Sequence, residues 1–110
     1  MPHKVDKLLW DVRTCIEDID SFLKGKTFED FSSERLLQAA VEREFEIIGE
    51  ALNRLFKLDE ERVRQKISQF HEIIGLRNII AHGYDSVDVK ALWDISHSEL
   101  LQLKKQINEY

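Results

Sequence analysis

The stretch LLQAAVEREFEIIGEALNRLF at residues 36–56 decides the fold. Its apolar side chains Leu36, Leu37, Ala40, Val41, Phe45, Ile48, Ala51, Leu52, Leu55 and Phe56 recur three or four residues apart, the spacing of one face of a helix. A strand would need strict alternation instead. At 1.5 Å per residue the segment is about 30 Å long, enough to run the length of a small domain. Glu42, Glu46 and Glu50 repeat on its other side. Without a Glu-x-x-His partner they do not make a di-iron set, and they read as a solvated stripe with Arg43 and Arg54 as partners.

The same period extends outward. Val5, Leu8, Leu9, Val12, Cys15, Ile16, Ile19, Phe22 and Leu23 form one helical face, and Lys24-Gly25-Lys26 supplies a stop, since glycine accepts the left-handed turn after a helix. Residues 27–31 read as a short connection, after which Ser32 or Ser33 can cap the central helix. Asp59 can cap a third stretch bearing Val63, Ile67, Phe70, Ile74, Leu76 and Ile80 and stopping near Gly83, with a break allowed near Ser68. Asp85 or Ser86 can cap a last helix with Val89, Leu92, Trp93, Ser96, Leu100, Leu103 and Ile107 inward. The expectation is an all-α protein, an antiparallel up-and-down bundle of four to five helices forming a single domain over residues 1–110.

Composition agrees. With 110 residues, 43% apolar and 34% charged, the chain can bury one core. One Pro and four Gly are too few for a turn-dense β fold. No segment reaches the roughly 20 apolar residues of a membrane span, and the first residues lack the apolar run of a signal peptide. Cys15, the sole cysteine, excludes an intrachain disulfide and a thiolate zinc cluster and reads as a small buried side chain in a cytoplasmic protein. The formal charge of −5, sixteen bases against twenty-one acids, argues against a surface that attracts nucleic acid everywhere. Residues 59–82 hold four acids and four bases, so the excess negative charge lies outside them.

Metal and nucleotide motifs fail to assemble. His71-Glu72 opens like a zinc-protease helix, but Gly75 stands where the second ligand must recur. The glycines are isolated, so no phosphate loop exists, and no metal or cofactor is expected. What remains is Arg77-Asn78-Ile79-Ile80-Ala81-His82-Gly83-Tyr84, where a guanidinium, an amide, an imidazole and a phenol crowd together. An imidazole can move a proton near neutrality, and a guanidinium can stabilise charge on a phosphorane-like transition state. RNA brings its own nucleophile in the 2′-hydroxyl. On a helix, Asn78 and His82 share a face, whereas Arg77 and His82 diverge by roughly 140°. Convergence therefore needs the helix to end at His82, or a second copy of the segment across a two-fold axis. The structural alternative is that His82 complements a helix C-terminus and Arg77 pairs with a carboxylate.

At these residues the chain resembles the HEPN superfamily, and within it the HepT-like toxins, whose signature is Arg, four residues, His, one residue, Tyr. Residues 43–51, Arg-Glu-Phe-Glu-Ile-Ile-Gly-Glu-Ala, resemble that family's preceding helix. The resemblance implies a homodimer in which two Arg-His motifs face one another, acting as a metal-independent endoribonuclease on RNA. It implies catalytic roles for Arg77 and His82 and a supporting one for Asn78. It further implies that a minimal nucleotidyltransferase antitoxin places AMP on Tyr84 to silence the toxin. A second reading on the same fold is a non-catalytic accessory subunit of a nucleotidyltransferase complex.

Overall fold

The computed structural model describes the backbone of residues 2–82 and 88–110 and the side chains of residues 4–76 and 88–110. Among the described residues the regular structure is helical throughout: α1 (Pro2–Leu23), α2 (Phe28–Ser33), α3 (Arg35–Leu58), α4 (Glu60–Lys66), α5 (Phe70–His82), α6 (Val89–Ser96) and α7 (Glu99–Asn108). None of these helices is long and apolar enough to cross a membrane.

The central helix is α3. Val41, Phe45, Ile48, Leu52 and Leu55 are fully buried along one face, following the spacing that defined the segment in sequence, whereas Leu36, counted on that face, is 85% exposed in the first turn. Against it lies α1, contributing Leu8, Val12, Cys15, Ile16, Ile19 and Leu23 to the same core. The α7 side chains Leu100, Leu103 and Ile107 close the bundle. Lys104 pairs with Asp20 at 3.1 Å and Arg13 Nε donates to Asn108 Oδ1 at 3.2 Å, so α7 runs antiparallel to α1.

Gly25 ends α1 in the left-handed region at φ +74, as its sequence position suggests. The next residues depart from expectation. The anticipated connection at residues 27–31 is mostly α2, held by a capping box in which Thr27 Oγ1 accepts from the Asp30 N–H and Asp30 Oδ2 accepts from the Thr27 N–H. Six residues are too few to show a period, so the signal lay in the Thr27–Asp30 pair alone. Neither Ser32 nor Ser33 caps α3. Ser33 Oγ donates back to the carbonyls of Glu29 and Asp30, and the N-cap position falls to Glu34, which makes no side-chain cap bond. Phe31, fully buried in α2, lies 5.5 Å from the Trp93 ring and ties α2 to α6.

The two later helices are each divided. Asp59 takes the N-cap position of α4, but its carboxylate accepts a 2.8 Å bond from the Tyr110 hydroxyl rather than from the helix. The break allowed near Ser68 is real, at residues 67–69. The last helix splits between α6 and α7. There Ser96 Oγ donates to Leu92 O, His97 Nδ1 to Trp93 O and Ser98 Oγ to Asp94 O, all at 2.7–2.8 Å. Three consecutive polar side chains turning back on the preceding turn compete with helix propagation. The cap of α6 is Asp88, whose Oδ1 accepts from the Lys90 and Ala91 N–H groups. Asp85 and Ser86 lie outside the described residues.

Leu52 sits in the middle of α3 at zero exposure. Leu52→Ala is expected to cost about 2–5 kcal/mol in urea unfolding, from lost transfer energy and the cavity left behind. A loss under about 1 kcal/mol would show that α3 is not the centre of the core.

Candidate functional site

Of the four residues singled out in sequence, Arg77, Asn78 and His82 stand on the helical backbone of α5, where their side chains are outside the described residues. Tyr84 lies wholly outside them. The structure therefore places the segment, and the placement begins at the break before it. Ile67 is fully buried and its N–H bonds to Val63 O at 2.8 Å, closing α4. The Phe70 N–H then bonds to Ile67 O at 3.3 Å and that of Ile73 to Gln69 O at 3.2 Å, which starts α5.

Gln69 is a buried polar residue at this corner. Ser68 Oγ donates to Gln69 Oε1 at 3.2 Å, and Gln106 Nε2 of α7 reaches Ser68 Oγ at 3.4 Å. Aromatic packing fixes the first turn of α5: Phe70 stacks on Phe56 with centroids 4.8 Å apart, and His71 lies 3.9 Å from Phe70. Arg64 also lies over Phe56, its Cζ 5.1 Å from the ring centroid. Because the start of α5 is pinned to the end of α3, α5 runs back along α3. His82 is about 18 Å from Phe70 at 1.5 Å per residue. Ile73 is fully buried, and Ile74 and Leu76 pack against the core, so an apolar flank anchors the segment just before Arg77.

The glutamate stripe of α3 behaves largely as its spacing suggests. Arg43 pairs with Glu46 at 3.3 Å and Arg54 with Glu50 at 2.8 Å, at positions three and four apart. Glu42 departs from this, its carboxyl held above the ordinary range by burial and then by Glu46. Among the described residues, no three His, Cys, Asp or Glu side chains are grouped as metal ligands. His71 has aromatic rather than ionic neighbours, and His97 is exposed on Trp93.

Two further titratable groups face one another between α1 and α3. Cys15 is buried, and its thiol is pushed up to about 12, by desolvation first and then by the adjoining Glu44 carboxyl. Glu44 is itself raised, by burial foremost and by Asp18. Sequence placed Cys15 in the core but gave no sign of this contact, which needs the register of two helices.

The comparisons with known proteins bear on the whole arrangement. The family described as ribonuclease HepT-like matches residues 12–110. A candidate RNase of Methanocaldococcus jannaschii is 30% identical over 112 residues, covering 99% of this chain and 93% of its own. A ribonuclease HepT candidate from Thermococcus cleftensis is 35% identical over 96 residues, covering 87% and 86% respectively. A candidate RNase of Caldanaerobacter subterraneus subsp. tengcongensis is 37% identical over 87 residues, covering 79% and 76%. No solved structure matches the chain significantly.

The raised groups give a pH prediction. The Cys15 thiol is retained as SH in the fold, so its contribution is fully present below the ordinary 9.0 and is lost as pH rises toward about 12. Native protein at pH 8 is expected to resist a thiol reagent and to react once unfolded in urea. Glu44 has the opposite consequence at neutrality, because its ionised form is disfavoured in the fold. Glu44→Gln should raise the melting temperature at pH 7, with the gain vanishing below pH 4.5. An equal gain at both pH values would contradict the carboxyl's role.

Proposed function

The chain belongs to the ribonuclease HepT-like family, and from that membership we propose that it is the toxin of a toxin–antitoxin pair, a metal-independent endoribonuclease working as one domain over residues 1–110. The observation that carries the proposal is the family match over residues 12–110, with the Arg77, His82 and Tyr84 spacing inside it. RNA is the substrate and the cytoplasm the setting.

The chemistry follows from the residue types. His82 accepts the proton of a 2′-hydroxyl as its oxygen attacks the neighbouring phosphorus, and the bond to the 5′-oxygen of the next nucleotide breaks. A protonated imidazole returns a proton to that leaving oxygen, so the products are a 2′,3′-cyclic phosphate and a 5′-hydroxyl. Arg77 offers two directed donors to the non-bridging oxygens as charge builds in the transition state. Asn78, four residues before His82, supports the imidazole or a phosphate oxygen.

His82 stands five positions beyond Arg77 on α5, a divergence of roughly 140°. That supports a homodimer in which two copies of α5 border one cleft and the two-fold axis supplies the complementary group. Tyr84, two residues beyond His82, is where a nucleotidyltransferase antitoxin attaches AMP. The phenol oxygen takes the adenylyl group of ATP and pyrophosphate leaves. The added phosphodiester places negative charge and bulk beside the cleft, repelling RNA phosphates.

The test is cleavage of an end-labelled RNA in excess EDTA by purified protein. Wild type should cleave. His82→Ala and Arg77→Ala should each lose on the order of 10²-fold or more while keeping the helical circular dichroism. Cleavage by His82→Ala at the wild-type rate would overturn the assignment. No cleavage by wild type, together with a stable complex with a nucleotidyltransferase, would instead favour the accessory subunit.

A further inference from the structure

Away from α5, the first half of α1 and the last half of α3 leave an open groove of about 770 Å³ between them. Leu8, Leu58, Lys4, Lys7, Arg54 and Lys57 line it. Its acids are Asp11, paired with Lys7, and Glu50, paired with Arg54 where a smaller hollow continues along the same seam. Lys4 and Lys57 form no ion pair among the described residues. Four cations against two carboxylates make this groove positive on a chain whose formal charge is −5. Trp10 stands beside it, 56% exposed, with Lys7 Nζ 5.3 Å from its ring.

We propose that this groove holds the phosphate backbone of single-stranded RNA, with Trp10 as a platform on which one base stacks. The proposal rests on the ribonuclease reading for its choice of polyanion. Two features set the choice of occupant. A groove of cations with an exposed indole at its edge combines the two elements of sequence-tolerant single-strand binding, charge for the backbone and a ring for the base. A second copy of this chain does not complement it, because a two-fold contact would bring the same lysines and arginine against each other. Arg54, Lys57 and Leu58 of the groove belong to the same last turns of α3 as Phe56, on which Phe70 of α5 stacks, so the groove lies at the end of α3 where α5 begins. The groove would then retain RNA while the cleft cuts it, giving an otherwise acidic protein a local grip on its substrate.

The experiment reads fluorescence anisotropy of a labelled oligouridylate on His82→Ala protein, which keeps the RNA whole. Lys4→Gln/Lys57→Gln should weaken binding about tenfold and lower the slope of log affinity against log salt by about 1.4, two single-strand phosphate contacts. Trp10→Ala should weaken it about 5-fold or more with the slope unchanged. Lys24→Gln/Lys105→Gln, two exposed lysines elsewhere with the same change of charge, should bind as the parent does. Equal losses in the two double variants, or none in either, would overturn the groove. Binding of poly-L-glutamate but not of the oligonucleotide through Lys4 and Lys57 would overturn it in favour of an acidic protein partner. Cleavage is read separately: RNA held by the groove but never cut by wild type sinks the ribonuclease reading and leaves the groove standing. Wild-type cleavage, with an unchanged KM in the Lys4→Gln/Lys57→Gln form of the active protein, sinks the groove and leaves the reading.

Discussion

Burial of one face of α3 is the constraint from which the rest of this molecule follows. Phe45, Ile48, Leu52 and Leu55 have no exposed surface, and α1 and α5 both pack on the helix that carries them. Each fully buried aliphatic or aromatic side chain is worth roughly 1.5–3 kcal/mol, against about 0–1 kcal/mol for an exposed ion pair. The seven ion pairs formed among the described residues are all at the surface. They set solubility and helix faces, while α3 sets the fold.

From that constraint comes the position of the motif. The chain leaves α3 at Asp59, makes the short α4 and turns at residues 67–69. Phe70 then stacks on Phe56 of the helix just left. A helix pinned at its start by aromatic packing and a hydrogen-bonded corner presents its later turns at a fixed height along α3. Arg77, Asn78 and His82 stand on the backbone of those later turns. One copy puts its guanidinium and imidazole positions on diverging faces, and the proposed dimer is the arrangement that answers this with the residues available.

Much of this was legible in the sequence, for a physical reason: long helices that bury one face must repeat every three or four residues. The faces of α1 and α3, the stop at Gly25, the corner near Ser68 and the burial of Cys15 all appear as period, glycine or interruption. What stayed hidden depends on competition between neighbours. Whether Ser33 caps the next helix or turns back on the last one, and whether Ser96, His97 and Ser98 interrupt a helix, is decided by which carbonyls are within reach. The short α2 carries too few residues for a period. The groove of Lys4, Lys7, Arg54 and Lys57 joins residues about fifty positions apart and has no local signature. The site motif was legible as chemistry, from Arg77, His82 and Tyr84 standing together in sequence, and not as geometry, since helical spacing alone sets Arg77 and His82 on diverging faces.

The central claim, that two copies of α5 compose one catalytic cleft, is tested most directly by mixing two inactive proteins. Arg77→Ala and His82→Ala chains are unfolded together, refolded and assayed on RNA in EDTA. A shared cleft in the mixed dimer retains one arginine and one histidine, so the mixture is predicted to recover a substantial fraction of wild-type cleavage where each parent retains on the order of a hundredth or less. A mixture as inactive as its parents, under conditions where subunit exchange is demonstrated and wild type cleaves, would contradict the account.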